Sequence, residues 1–214
     1  MPESDPKKII LFGPQGSGKG TQAERLSAFF GIPHIYPGNI FRQEIAQQSE
    51  IGQQIEEIYN AGKLMPNELT NWVVKKELEK EDAVNGFVID GYPRNEDQAN
   101  AMDAMATVTH ALLIDIPESE SIRRLSQRRS CTNCNITYHL EFKPPKSANR
   151  CDVCGRELIQ RPDDTPEGIK QRLTIYHQET EPLLARYEQR GVLHRIDGVG
   201  SIDDVWQRVL AALA

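Results

Sequence analysis

A glycine-rich segment near the beginning of the chain constrains its fold more than any other feature. Residues 13–21 read GPQGSGKGT. They follow the short run 8–12, which is apolar from Ile9 onward, and they lead into residues 19–30, whose apolar side chains share one helical face. Between a strand and a helix this composition is typical of a phosphate-binding loop, because glycines let backbone N–H groups turn toward phosphate oxygens. The helix N-terminus adds partial positive charge. The segment predicts that Lys19 contacts the β- and γ-phosphates of a nucleotide.

The residue after the lysine departs from the generic phosphate loop. Ser or Thr usually stands there as a magnesium ligand, whereas this chain has Gly20 followed by Thr21. The loop alone therefore does not assign that ligand, and a plain glycine-rich turn is the alternative interpretation.

Short apolar runs alternate with amphipathic segments, which predicts an α/β fold with a parallel sheet covered by helices on both faces. Thr165 and Ser201 have the chemistry of helix N-caps, and Pro182 is expected to bend a long helix. Arg124 and Arg128 are expected one turn apart on one helix face. The predicted strands cover residues 8–12, 34–36, 87–90, 111–116 and 193–197, and the predicted helices cover 19–30, 39–47, 52–61, 67–80, 117–129, 165–189 and a last segment from about 201.

Four cysteines lie in two closely spaced pairs between residues 130 and 164, where the alternation of strands and helices breaks down. The pattern Cys-x2-Cys occurs twice, separated by 16 residues, which is the spacing of a four-cysteine zinc site. Four thiolates complete a tetrahedral shell, so we expect a structural metal and no activated water. Disulfides, a redox role, and iron or cobalt in place of zinc are the alternatives. The expected ligands are Cys131, Cys134, Cys151 and Cys154.

Composition limits the classes of function. Of the 214 residues, 38% are apolar and 26% are charged, which fits a globular core with insertions. The net charge of -6 argues against a protein that binds nucleic acid or a membrane surface, because such proteins usually carry an excess of basic residues. No run of 18 apolar residues predicts a membrane span, and residues 1–8 lack the apolar region of a signal peptide. We therefore expect a cytoplasmic enzyme without nucleic-acid or membrane partners.

Arginines and aspartates supply the remaining candidate site residues. Asp90 ends an apolar run and is followed by Gly91-Tyr92-Pro93-Arg94, at the sheet edge where ligands bind in open α/β folds. Asp90 is expected to hold Mg²⁺ through water, or else to cap the following turn. Asp163 and Asp164 are expected to pair with arginines, or else to be solvated. The planar guanidinium group of arginine can bind two phosphate oxygens at once, so arginines are candidates for phosphate binding. Each of them could instead be an ordinary surface residue. The candidates are Arg42, Arg94, Arg124, Arg128, Arg161 and Arg172.

Over nearly its whole length the sequence resembles the adenylate kinases of the long, lid-bearing bacterial type. The resemblance implies reversible transfer of the γ-phosphate of ATP, bound with Mg²⁺, to AMP, giving two ADP, by a monomer. It implies a P-loop core of residues 1–35, 66–126 and 165–214, a monophosphate-binding insertion at 36–65 and a zinc-binding lid at 127–164. The matching blocks are residues 13–22, 38–42, 61–64, 90–94 with Gln98, 128–129, 137–139, 161–164, 172–177 and 197–198.

The same resemblance implies roles for individual residues. The implied ATP site comprises Gly16, Ser17, Gly18, Lys19, Gly20, Thr21, Arg128, Thr137, Tyr138 and the backbone near Gly200. The implied AMP site comprises Pro37, Arg42, Lys63, Leu64, Met65, Gly91, Tyr92, Pro93, Arg94, Gln98, Arg161 and Arg172, with Gln98 reading the adenine edge. The implied catalytic set is Lys19, Arg94, Arg124, Arg128, Arg161 and Arg172.

Two positions in the acceptor region depart from the family pattern. Where the family usually has Ser-Thr-Gly-Asp, residues 36–39 read YPGN, so Pro37 replaces a threonine and Asn39 an aspartate. Proline offers neither a hydroxyl nor a backbone N–H. A kinase for UMP or CMP is therefore one alternative to AMP, and a non-catalytic nucleotide-binding module or a zinc-ribbon nucleic-acid binder are the others.

Overall fold

The computed structural model describes residues 6–61, 63–134 and 136–213. The chain divides into two compact units. The first comprises the chain up to Pro37, then Pro66–Ile116, and the chain from Ile175 onward; the second comprises Gly38–Met65 and Pro117–Thr174.

The strands and helices follow the predicted alternation, but the helix Glu96–Met105 and the two short strands Arg128–Ser130 and Thr137–His139 were not predicted. Within the described residues the strands are β1 (Lys7–Phe12), β2 (His34–Ile35), β3 (Gly86–Asp90), β4 (His110–Asp115), β5 (Arg128–Ser130), β6 (Thr137–His139) and β7 (Leu193–Asp197). The α-helices are α1 (Lys19–Phe30), α2 (Pro37–Ala46), α3 (Glu50–Asn60), α4 (Asn67–Leu78), α5 (Glu96–Met105), α6 (Glu118–Ser126), α7 (Pro166–Ile175), α8 (Leu184–Gln189) and α9 (Ile202–Ala211).

The predicted five-stranded parallel sheet is confirmed, with the order β2–β3–β1–β4–β7. Successive residues of β1 point to opposite faces. Ile10 and Phe12 pack into one buried cluster with Tyr187, and Ile9 and Leu11 pack into another with residues of α1 and α9. Burial on both faces explains why these strands are continuously apolar, and it holds the end of β1, and so the phosphate loop, rigidly.

The predicted caps are present, and the long helix is interrupted. Gly168 N–H donates to Thr165 Oγ1 at 3.1 Å, and Ser201 forms a capping box with Asp204. Between α7 and α8 the chain stays helical but changes to a wide π-turn over Tyr176–Thr180 and a tight turn over Glu181–Leu183, which contains Pro182. The irregularity agrees with the expected bend, because proline removes one N–H from the helix.

The second unit corrects one prediction. The helix expected over 117–129 ends at Ser126, and Arg128 begins β5, so the prediction that Arg124 and Arg128 share a helix face is wrong. Residues 128–130 pair antiparallel with 137–139, and Ser130 also bridges to Ile159. These ladders satisfy backbone groups that a longer helix would have used.

Among the described residues, no helix combines the length and the apolar character that crossing a membrane requires.

Candidate active site

The glycine-rich loop lies at the carboxyl end of β1, in the first unit. Gly13, Gly16 and Gly18 all have positive φ, which side chains with a Cβ rarely adopt. At Gly13 a Cβ would also lie 2.2 Å from Ile114 O. The Lys19 side chain folds back onto the loop, and its ammonium group donates to Gly13 O at 2.7 Å and to Pro14 O at 2.8 Å. The loop thus concentrates positive charge and backbone N–H groups at one edge of the sheet, as phosphate binding requires.

Asp90 lies beside this loop, at the end of β3. Its side chain is close to the first turn of α1, because a Cβ on Gly20 would come within 3.2 Å of Asp90 Oδ2. The glycine that departs from the generic motif therefore lets the aspartate approach the helix. A buried carboxylate next to a phosphate loop and Thr21 suits water-mediated binding of Mg²⁺.

The segment after Asp90 is held by hydrogen bonds within the first unit. Arg94 Nε donates to Gly91 O at 2.7 Å, and Thr180 Oγ1 donates to Arg94 O at 2.8 Å. Tyr92 is buried and donates its hydroxyl to Asn71, and the Tyr92–Pro93 peptide is cis.

Gln98 is enclosed in the same region, with only 2% of its surface exposed. Its Oε1 accepts from Arg94 N–H at 2.8 Å, and its Nε2 donates to Asn67 Oδ1 at 3.0 Å. Nothing in the sequence pattern singled out Asn67. Of the other expected contacts in this unit, Gly200 has φ +119 just before α9, and Pro37 is the first residue of α2.

In the second unit, two arginines converge on one buried carboxylate. Asp164, whose side chain is fully buried, accepts from Arg128 Nε at 2.7 Å and Nη2 at 2.5 Å, and from Arg172 Nη2 at 2.7 Å. Arg172 Nη1 also lies 2.8 Å from Asp163 Oδ2. Burial alone would raise the pKa of Asp164, but the two guanidinium groups outweigh it and hold this pKa below its usual value. The expected pairing of these aspartates with arginines is confirmed.

Arg124 and Arg161 are fixed by different partners. Arg124 Nε donates to Glu120 Oε1 at 2.6 Å, and its guanidinium lies 5.2 Å from the centroid of the Phe142 ring. A hydrogen bond from Arg123, with a smaller contribution from Arg124, outweighs burial and lowers the pKa of Glu120 to about 2. Arg161 donates to Ser130 Oγ and to Thr137 Oγ1, both at 2.8 Å. The ion pair between Glu120 and Arg124 was not predicted from the sequence, although their spacing of four residues on one helix could have indicated it.

The remaining expected acceptor residues lie in α2 and in the segment between α3 and α4. Arg42 donates to Tyr59 OH and to Asn39 Oδ1, both at 3.0 Å. Leu64 and Met65 are half-buried and Lys63 is exposed.

The four cysteines form one cluster in the second unit, with all four Sγ atoms within 4.8 Å of one another. Thiolates around one zinc ion at 2.3 Å form a tetrahedron with edges of about 3.8 Å, so the cluster fits zinc. Gly155 has φ +71 and donates to Cys151 O at 2.8 Å, while Cys134 N–H points to Cys131 Sγ at 3.4 Å. These are the tight turns that the spacing predicted.

Tyr138 supports this cluster. Its ring is buried, and its hydroxyl lies 3.5 Å from Cys151 Sγ and accepts from Asp152 N–H at 2.9 Å. A hydrogen bond from Cys154 N–H, followed by one from Tyr138, lowers the pKa of Cys151 to about 6, which favours a metal-binding thiolate.

The structure thus groups the expected residues in two sets. The first unit holds the phosphate loop, Asp90, the segment 91–94, Gln98 and Gly200, and the second unit holds the four other arginines of the catalytic set, Thr137, Tyr138, Arg42, residues 63–65 and the cysteines.

Comparison with known proteins identifies the family. The adenylate kinase family model matches residues 11–192. Adenylate kinases from Clostridium kluyveri, Archaeoglobus fulgidus and Caldanaerobacter subterraneus subsp. tengcongensis are 42%, 40% and 44% identical to this chain, respectively. Each alignment covers 96% of this chain, and 97%, 97% and 96% of the respective relative. With a phosphate loop on a five-stranded parallel sheet and identity at this level over nearly its whole length, the chain belongs to the adenylate kinase family.

Proposed function

We propose that this chain catalyses the reversible transfer of the γ-phosphoryl group of ATP to AMP, which gives two ADP. The observation that carries this conclusion is the loop around Lys19, which lies on a family-matched sheet with Asp90 beside it. Two alternative functions, a UMP or CMP kinase and a non-catalytic nucleotide-binding module, are not favoured, because the matching relatives are named adenylate kinases.

The chemistry requires positioning and charge neutralisation. An oxygen of the AMP phosphate attacks the γ-phosphorus, and the bond to the oxygen that bridges the β- and γ-phosphates breaks. The attacking oxygen is already an anion, so no general base is needed. Lys19 follows the charge that develops on the β–γ bridge, and the loop N–H groups hold the phosphates in line.

We propose that the arginines of the second unit complete this neutralisation. Arg128 and Arg172 are held by Asp164, and Arg161 by Ser130 and Thr137, so their forks are oriented before a nucleotide arrives. Pre-orientation lowers the entropy lost on binding phosphate. Arg42, Arg94, Arg161 and Arg172 are assigned to the monophosphate or the transferred group, and Arg124 to a phosphate site.

Two metals belong to this proposal. Asp90 would hold Mg²⁺ through water, and Mg²⁺ bound to ATP neutralises phosphate charge. The four cysteines would hold zinc as a structural ion, because no ligand position stays open for a reacting water.

We further propose a division into three parts and a monomeric, cytoplasmic enzyme, as the family resemblance implies. Residues 36–65 would cover the monophosphate and 127–164 would close over ATP. Sedimentation at micromolar concentration tests the monomer, and a dimeric mass would refute it.

Supplying AMP, CMP, GMP and UMP separately with ATP and Mg²⁺ tests the acceptor. We expect AMP to give the highest kcat/KM for ADP formation. A higher value with UMP or CMP would refute the acceptor while retaining the reaction class, and no turnover with any of them would favour a binding module.

A further inference from the structure

Asn67, the first residue of α4, sits at the centre of a hydrogen-bond network in the first unit. Its Oδ1 accepts from Gln98 Nε2 at 3.0 Å and from Asn95 Nδ2 at 2.9 Å, and its Nδ2 donates to Asp97 Oδ2 at 3.0 Å. The network continues to the backbone, because Gln98 Oε1 accepts from Arg94 N–H at 2.8 Å.

The groups at the two ends of this hydrogen-bond network determine which atom donates and which accepts in each bond. A backbone N–H can only donate, so Gln98 must turn Oε1 toward Arg94. An ionised carboxylate can only accept, so Asn67 must turn Nδ2 toward Asp97 and Oδ1 toward Gln98. Flipping either amide would place two donors or two acceptors against each other. With Gln98 only 2% exposed, packing leaves its amide few other orientations.

We propose that Asn67 is a positioning residue that sets the base preference of the acceptor site by fixing the orientation of the Gln98 amide; this inference rests on the proposed function. The amide has one Nε2 hydrogen and one Oε1 lone pair beyond those used by Asn67 and Arg94. These two bonds fix which end of the Gln98 amide can donate and which can accept, so the order of donor and acceptor available to a base is fixed.

That order matches adenine. The adenine edge presents a ring nitrogen that accepts and an amino group that donates, whereas guanine and uracil present a ring N–H and a carbonyl oxygen. Cytosine shows the same pattern as adenine, so only its smaller size separates CMP from AMP. A fixed amide thus disfavours GMP and UMP electrostatically, because mismatched groups would be left unpaired.

Dissociation constants of AMP, CMP, GMP and UMP, measured by calorimetry, test this role. In Asn67→Ala the Gln98 amide loses the hydrogen bond that holds its Nε2. We therefore expect the preference for AMP over GMP to fall about fivefold, which is the effect of one hydrogen bond. Exchanging the two side chains, Asn67→Asp together with Asp97→Asn, keeps an oxygen facing Gln98 and a donor–acceptor pair between positions 67 and 97, so the AMP:GMP ratio of this double variant should stay within about twofold of the wild type. Asn100→Ala removes the hydrogen bond that Arg186 of α8 donates to Asn100 on α5, and it serves as the matched control, with no change expected.

The outcomes separate this inference from the function on which it rests. An unchanged AMP:GMP ratio in Asn67→Ala, or an equal loss in the double variant, would overturn the positioning role while AMP stays the acceptor. A wild type that does not prefer AMP would overturn the acceptor assignment and the inference together. Asn67 is half-buried at the start of a helix, where alanine is tolerated, and circular dichroism of each variant verifies folding.

Discussion

Replacing Asp164 should destabilise the second unit more than replacing any exposed acid. Its fully buried carboxylate joins Arg128 and Arg172 through three short hydrogen bonds. Removing one partner of a buried ion pair costs about 3–5 kcal/mol, because the remaining charge is left uncompensated. Asparagine keeps one oxygen, so we expect the lower end, about 3 kcal/mol, for Asp164→Asn. If the chain unfolds as one cooperative unit, Tm should fall by about 6–12 °C.

Thermal unfolding followed by circular dichroism measures this effect, and hydrogen exchange over residues 128–172 detects loosening confined to the second unit. The matched control is Asp203→Asn, because Asp203 pairs with Arg25 but its side chain is 80% exposed. An exposed pair contributes at most about 1 kcal/mol. Equal Tm values for the two variants, with unchanged hydrogen exchange, would refute the proposed importance of the Asp164 cluster.

The same carboxylate predicts a dependence on pH. Because its two arginines lower the folded-state pKa of Asp164 below the unfolded value of about 3.9, its stabilisation is fully present above that pH. It is lost as the pH falls further, through the folded-state pKa. The difference in stability between the wild type and Asp164→Asn should therefore shrink below about pH 3.9, and a constant difference would contradict this assignment.

Three further predictions concern the loop, the cysteines and the acceptor site. Lys19→Ala should lower kcat by at least about a hundredfold with little change in Tm, since the ammonium stabilises developing charge; full activity would contradict the loop assignment. Chelation of zinc from the cysteine cluster should lower Tm and speed hydrogen exchange over residues 131–154, because thiolates without a metal no longer hold the two turns together; stoichiometric zinc whose removal leaves both unchanged would contradict a structural metal. Pro37→Thr should tighten AMP binding by about twofold to tenfold through one regained hydrogen bond, and calorimetry showing no change would place Pro37 outside the acceptor site.

Local patterns were sufficient to predict the sheet and the loop. Continuous apolar runs such as residues 87–89 occur in parallel strands buried on both faces, and glycines with a lysine before a helix suit few other structures. The cysteine spacing likewise predicted a cluster that the structure brings together.

Contacts between distant segments were not predictable in the same way. Arg128 lies in a strand and not in the predicted helix, because its segment pairs with residues 137–139. Its carboxylate partner, Asp164, lies 36 residues away in the sequence. The anchoring of Gln98 by Asn67 depends on two residues 31 positions apart. Neither has a local periodic signal, so helix propensity and spacing could not reveal them.

The transfer itself is tested most directly by following the label from ATP that carries ³²P at the γ-position. With AMP and Mg²⁺, the account predicts that the label appears in the β-phosphate of ADP, with two ADP formed for each ATP consumed. Label released only as inorganic phosphate, or retained in ATP, would contradict phosphoryl transfer to AMP.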